Sequence, residues 1–344
     1  MDNQLAQRTV EVMHAIVQSY IETGEPVASR TIARRRRDSL SAATIRNIMA
    51  ELADHGFLSQ PHTSAGRIPT EKAFRHFAQT HAAGRILETE LQKLRSELQQ
   101  IDSSDDRAEQ ASHILTHLTS NVGIVAAIPD AEQILDQIEL VLLPDMRVLM
   151  VVVTKDRTVR NQVVKLDDPI SQDELASIRN YINRNFTGWA LTRVRGELAQ
   201  RLARESATYD SLLRKLIVLY EKGLLDVALQ PRVYLDGTSN LLVNLDLQFA
   251  REKLRELFRT LEEKRRILDL LDRFLAGKPG ELTVQVGLES AHPLLRGVSL
   301  IGVTFNLPGG LSTRMAVLGP MRMNYPRVIS AVHHVGHALR SLPQ

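Results

Sequence analysis

At 344 residues, 43% of them hydrophobic and 24% charged, the chain is long enough to bury a sizeable core and to divide into two or three domains. Its net charge of +3 hides an asymmetry, for residues 1–85 hold eleven Lys/Arg against eight Asp/Glu while the remaining 259 hold thirty-two of each. The lack of cysteine excludes disulfides and thiolate metal sites, and neither the start Met1-Asp2-Asn3-Gln4-Leu5 nor the longest apolar runs, Val122 to Ile128 and Val148 to Val153, supplies a signal peptide or the roughly 20 apolar residues of a membrane helix, so the cytoplasm is expected.

From Leu5 to Thr23 the residues Val10, Met13, Val17, Tyr20 and Ile21 recur at helical spacing, and Gly24 with Pro26 supplies a stop. A second, shorter helix is predicted to start at Ser29, whose hydroxyl can accept from an unpaired backbone N–H, and to run into the arginines. Basic charge gathers at Arg30, Arg34, Arg35, Arg36, Arg37 and Arg46, with Asp38 the one acid between them. Such a run suits a polyanion, although a solvated helix face has the same composition. Ser41 offers the next N-cap, and a third helix runs to about His55 with Ile45, Ile48, Met49 and Leu52 on one face. The opposite face then carries Ala43, Arg46, Asn47, Ala50 and Asp54. Arginine can bridge guanine O6 and N7, asparagine can pair with adenine, and alanine can touch a thymine methyl.

After Gly56, two short extended pieces, Phe57 to Gln60 and Ile68-Pro69, flank the polar tip Pro61 to Arg67. This is the pattern of a wing, in which small residues let the backbone approach phosphate and Arg67 reaches phosphate or the minor groove. Helix, short helix, recognition helix and hairpin in that order predict a winged helix-turn-helix. Its candidate DNA contacts are Ser29, Arg30, Arg34, Arg35, Arg36, Arg37, Ser41, Ala43, Thr44, Arg46, Asn47, His62, Thr63, Ser64, Gly66 and Arg67.

Further along, Leu87, Leu91, Leu94, Leu98 and Ile101 form a short heptad seam, suited to a lever or dimer contact or to packing on the same chain, before a polar break at Asp102 to Asp106. Ile138 to Leu143, Val148 to Val153 and Val159 to Leu166 read as an antiparallel meander. Helical stretches follow around Asp173 to Phe186, Glu197 to Tyr220 and Arg251 to Leu275. Late strands are predicted at Leu282 to Leu288, Val298 to Leu307 and Ser312 to Leu318, then a last helix from Tyr325 to about Leu339. Two blocks of strands around a helical stretch predict one sheet with an insertion.

His113 with His117, and His333 and His334 with His337, have metal-like spacing but no third ligand nearby in sequence, so surface or interface histidines are the expectation and no metal or cofactor is predicted. No nucleophile, acid–base pair or phosphate loop stands out for an enzyme. The aromatics nearest the arginines, Tyr20 and Phe57, belong to apolar stripes, unlike the stacking platforms of single-stranded RNA readers.

The segments Gly24-Glu25-Pro26-Val27-Ala28-Ser29-Arg30-Thr31, Ser41-Ala42-Ala43-Thr44-Ile45-Arg46-Asn47 and Gln60 to Thr70 resemble the HrcA family of heat-inducible transcription repressors. Asp236-Gly237-Thr238-Ser239-Asn240-Leu241-Leu242 and Leu318-Gly319-Pro320-Met321-Arg322-Met323-Asn324-Tyr325 look like that family's central and C-terminal signatures, so the resemblance spans essentially the whole chain. It implies an α+β multidomain protein: a winged helix-turn-helix domain over 1–85, a helical linker over 86–106, a GAF-like mixed α/β domain over 107–170 and 246–344, and an inserted dimerisation domain over 171–245. It also implies a homodimer on an inverted-repeat operator in double-stranded DNA, repression of chaperone operons of the groE and dnaK type, and activity promoted by the GroE-type chaperonin. One departure is Arg34 to Ser39, where the family usually has a tyrosine or similar residue and a glycine; the extra arginines are expected to add phosphate affinity rather than base readout. The runner-up reading is a winged-helix regulator of other genes that responds to a small ligand in the GAF-like domain.

Overall fold

The computed structural model describes residues 6–35, 40–62, 65–80, 88–101, 104–129, 133–155, 157–204, 211–225, 230–244, 256, 259, 263–275, 277–295, 297–307 and 311–341. Helix α1 (Gln7–Thr23) ends where Gly24 turns left-handed at φ 70° and donates its N–H to the Tyr20 carbonyl. Helices α2 (Ser29–Arg35) and α3 (Ala42–Asp54) follow, then the hairpin of β1 (Leu58–Ser59) and β2 (Ile68–Pro69), and α4 (Glu71–Thr80). Ser41 caps α3 as its position predicts, its hydroxyl accepting from the Thr44 N–H at 3.1 Å. Val12, Met13, Ile16, Val17, Ile32, Ile45, Met49, Leu52, Phe74 and Phe77 close the core of this N-terminal module.

Helices α5 (Glu88–Gln99) and α6 (Ser104–Thr119) lead into a body built on one antiparallel sheet. Its strands are β3 (Val122–Pro129), β7 (Arg232–Asp236), β8 (Leu282–Val286), β9 (Val298–Leu307) and β10 (Leu311–Pro320), in the order β7-β3-β10-β9-β8. The period-two alternation of β9 and β10 divides their side chains between two cores. Ile301, Val303, Phe305, Met315 and Val317 meet α6 and the last helix α12 (Tyr325–Ser341). Leu300, Ala316 and Leu318 meet Leu241 of α10 (Thr238–Asn244) and Ile267, Leu270 and Leu271 of α11 (Lys264–Phe274). The heptad seam packs on its own chain, because Leu94 and Leu98 join the core that α6 and α12 share; Leu87 lies outside the described residues.

Between β3 and β7 the chain builds a separate unit. Strands β4 (Leu135–Leu143), β5 (Arg147–Thr154) and β6 (Val159–Lys165) form a three-stranded antiparallel meander, as predicted. Its inner face, with Ile138, Leu140, Val148, Met150 and Val152, shares one core with Ile178, Ile182 and Phe186 of α7 (Gln172–Phe186), Leu191 and Val194 of α8 (Leu191–Arg204), and Leu216 and Leu219 of α9 (Ser211–Glu221). A capping box opens α7, with Ser171 and Glu174 bonded reciprocally. The Lys215 ammonium, 2.5 Å away on α9, and then the Ser171 backbone and hydroxyl hold the Glu174 carboxyl down to about 2.

Two expectations are corrected by these cores. The limit between 170 and 171 cuts through a single hydrophobic cluster, because the meander packs on α7, α8 and α9 and not on the body. The end near 245 moves as well, since β7 pairs with β3, Gly123 opposite Asp236, and belongs to the body sheet. The early and late strand blocks therefore do not form one sheet; the late strands join the body sheet through β10 against β3, with β7 on the far side of β3, and the strand reading identified neither β3 nor β7. Of the helical stretches, Glu197 to Tyr220 becomes α8 and α9 with 205–210 outside the described residues, and most of 251–262 lies outside them too. No described helix is long and apolar enough to cross a membrane.

Candidate nucleic-acid interface

The apolar stripe of α3 fixes which of its residues face outward. Ile45, Met49 and Leu52 are buried and Ile48 is half-buried, so Ala43, Arg46, Asn47, Ala50 and Asp54 are all exposed. Arg46 and Asn47 stand in the first half of the helix, where Ser41 has already satisfied the Thr44 N–H, and Thr44 itself is half-buried. The surface they form carries a guanidinium, a carboxamide and two methyl groups, the donor, acceptor and apolar set that base edges in a major groove present in complement.

Around it the basic residues divide. Arg30 and Arg34 are exposed on α2, whereas Arg35 reaches back to α1 and donates to the Glu22 carboxylate at 2.6 Å. Glu22 is held below the usual carboxylate range, first by the Gln18 amide and then by Arg35. Arg35 therefore braces α2 against α1. Ser29 is corrected: it is the buried first residue of α2, and the carbonyl that receives the first N–H groups, those of Thr31 and Ile32, is Ala28's. Arg36 and Arg37 lie outside the described residues, as do Asp38 and Ser39 of the unusual turn.

The hairpin is tied down at its base. The N–H groups of Val27 and Arg67 each donate to the other's carbonyl at 2.9 Å, so the segment between α1 and α2 pairs with the base of the hairpin, a contact no local pattern announces. That pairing gives Gly66 a structural reason, for a Cβ would stand 2.6 Å from the carbonyl carbon and oxygen of Val27, and close backbone packing demands the glycine. His62 is exposed at the tip, where the Ala65 N–H returns to its carbonyl at 2.9 Å, and Arg67 is half-buried; Thr63 and Ser64 lie outside the described residues. Phe57 is buried and Tyr20 half-buried against Phe74, ring centroids 6.2 Å apart, so neither offers a stacking platform.

The remaining motifs fall elsewhere. The two late signatures meet in the body around Asn121: Thr116 donates its hydroxyl to the Asp236 carbonyl at 3.0 Å, and the Asn121 amide oxygen lies 2.4 Å from where a Cβ on Gly319 would stand. His113 pairs with Asp236 at 3.2 Å, and His333 and His334 meet edge to face. Among the described residues, no three His, Cys, Asp or Glu side chains converge in a way that could hold a metal ion. A feature the sequence reading passed over is the outer face of the meander. Val141, Val159 and Val163 are 41%, 52% and 49% exposed, and the register sets Val141 opposite Leu149 and Leu149 opposite Val163. Its signal was present in strands that carry Val or Leu on both faces, a pattern of strands covered on both sides.

Comparison with known proteins matches residues 105–329 to the family model described as the HrcA protein C terminal domain. Proteins named heat-inducible transcription repressor HrcA align along nearly their whole length: one from Sorangium cellulosum is 36% identical over 97% of both chains, one from Geobacter sulfurreducens 32% identical over 98% of both. A third, from Xanthomonas oryzae, is 34% identical over 97% of this chain and 95% of its own. A crystal structure titled a hypothetical protein, at 21% identity, superposes with a TM-score of 0.63 over 98% of this chain and 97% of that one, a likeness of fold.

Proposed function

Because the chain belongs to the HrcA family of heat-inducible transcription repressors, we propose that it represses chaperone operons in the cytoplasm by binding an inverted-repeat operator in double-stranded DNA as a homodimer. On this reading the N-terminal module is a winged helix-turn-helix domain, the body is GAF-like, and the inserted unit pairs two copies.

The observation that supports DNA reading best is the face of α3, where exposed Arg46 and Asn47 are backed by the buried anchors Ile45 and Met49. A side chain that reads bases must be held by a rigid element; the Ser41 cap holds the start of this one, and the Val27–Arg67 pairing ties the hairpin that follows it to the segment before α2. Arg30, Arg34 and Arg67 then act on phosphates, fixing register without choosing sequence. Loss of a base contact costs about 1–3 kcal/mol at one position, whereas loss of a phosphate contact weakens all sequences alike and lowers the salt slope. Arg46→Ala is therefore expected to lower the ratio of operator to random-DNA affinity at low and moderate salt. A ratio equal to the parent's would remove Arg46 from base readout.

Control by heat is proposed to run through the GroE-type chaperonin, as the family resemblance implies, so that misfolded protein occupies the chaperonin and leaves the repressor inactive. Adding purified chaperonin to dilute, heat-treated protein is expected to restore operator binding. No recovery would point instead to intrinsic loosening of the body.

A further inference from the structure

We infer that the joint between the N-terminal module and the body is a built seat that fixes the direction in which α3 is presented, and that Glu71, Arg75 and Arg322 are positioning residues for operator spacing; this rests on the operator reading above. The first point of contact is aromatic. Phe74 and Phe77 of α4 each bring their rings to 6.3 Å from the ring of Tyr325, at the start of α12. Tyr325 is a rigid platform, fully buried, its hydroxyl donating to the Met321 carbonyl at 2.8 Å and lying 3.2 Å from the Ser299 hydroxyl. Desolvation raises its pKa, so it stays a neutral donor there.

The second point lies at the end of β8. Arg75 pairs with Glu71 one turn earlier and also donates to the Val286 carbonyl at 3.4 Å. The Glu71 carboxylate lies flat against Gly287, 2.6–2.8 Å from where a Cβ would stand, and Gly287 sits at φ +75°, a conformation that a side chain would strain. The third point is the C-cap of α1, where the Arg322 guanidinium occupies the space a Cβ on Gly24 would need, 2.6 Å away. Module and body share one continuous hydrophobic core through Phe74, Phe77, Val286 and Tyr325.

Neighbouring domains joined by small polar contacts move relative to one another by default. Two contacts on α4, one to Tyr325 and one to the end of β8, and a third at the α1 cap remove that freedom where a single contact would leave a pivot. The consequence for DNA is geometric. At a lever arm of roughly 20 Å, a tilt of about 10° moves a recognition helix by about 3.5 Å, one base-pair step along a strand. A dimer can hold its two half-sites to a fixed spacing only if the module is held this firmly.

The test uses the full-length homodimer and a triple variant, Glu71→Ala, Arg75→Ala and Arg322→Ala, which removes the polar contacts and leaves the apolar one between Phe74, Phe77, Val286 and Tyr325. Affinity is measured on a single half-site and on inverted repeats lengthened by one to five base pairs. Spin labels at Asp54→Cys, in a chain with no cysteine of its own, report the distance between the two α3 helices. The parent is expected to lose roughly tenfold or more in affinity away from its preferred spacing, as the second contact ceases to be intramolecular. The triple variant is expected to bind the half-site as the parent does, flatten that profile and broaden the distance distribution, while Arg75→Lys keeps the parent's profile. If the parent discriminates and the triple variant discriminates equally with an equally narrow distribution, the seat proposal is overturned alone. If the parent itself ignores spacing, the operator reading falls and takes the seat with it.

Discussion

Gly66 shows how a residue in a functional-looking motif can be held by structure. Set in a polar loop between Ala65 and Arg67, it reads as a gap for phosphate, and the pairing of Arg67 with Val27 gives it a different reason. A Cβ there would meet backbone, which cannot rotate away, so Gly66→Ala is expected to destabilise the protein by about 1–3 kcal/mol through overpacking. Thermal unfolding would register this as a lower midpoint. Unchanged stability with weaker DNA binding would restore the phosphate reading. The outward set of α3 was legible residue by residue, because burial of Ile45, Met49 and Leu52 follows from a 3.6-residue period and determines its own opposite face. The bracing of Arg35 on Glu22, thirteen residues earlier, was not legible, since no period links two helices that meet only after folding.

At the scale of elements, the meander poses the question of what covers its outer face. A sheet with Val141, Leu149, Val151, Val153, Val159 and Val163 on one side has the composition of an interface and not of a solvated surface, which rarely carries contiguous apolar patches. A second copy of the same unit, related by a two-fold axis, would cover both faces at once. Val141→Asp combined with Val163→Asp is accordingly expected to shift the protein from dimer to monomer in sedimentation, and to lower operator affinity by roughly 10²–10⁴ as avidity is lost. A stable dimer in that variant would place the interface elsewhere. Element existence was well legible here: α1, α3, the β1–β2 hairpin, the three meander strands, α7 and α12 all follow from period, caps and turn residues. Which strand pairs with which was not. β3 is a continuous apolar run flanked by β7 and β10, and nothing in a run buried on both faces names its neighbours.

The whole molecule joins an N-terminal module and a body through one shared core, while the inserted unit keeps a core of its own. The module's Phe74 and Phe77 are completed by Tyr325 from the far end of the chain, so on the proposed DNA reading the direction of α3 depends on the C-terminal signature as well as on the first 85 residues. That dependence gives the signature Leu318 to Tyr325 a physical task, holding the body's packing around Asn121 and the seat of the module at once. The inserted unit's limits were hidden for a related reason: helices and strands that alternate in sequence do not reveal which of two cores each joins.

The central claim, that this chain recognises operators of chaperone genes, is tested most directly by footprinting the full-length protein on the DNA upstream of the chaperone operons of its own host. The expected result is a protected region with two-fold symmetry, two half-sites a fixed number of helical turns apart, that persists against an excess of random DNA. Protection that spreads evenly along the fragment and disappears with the competitor would contradict the account, leaving a basic surface with phosphate affinity and no operator.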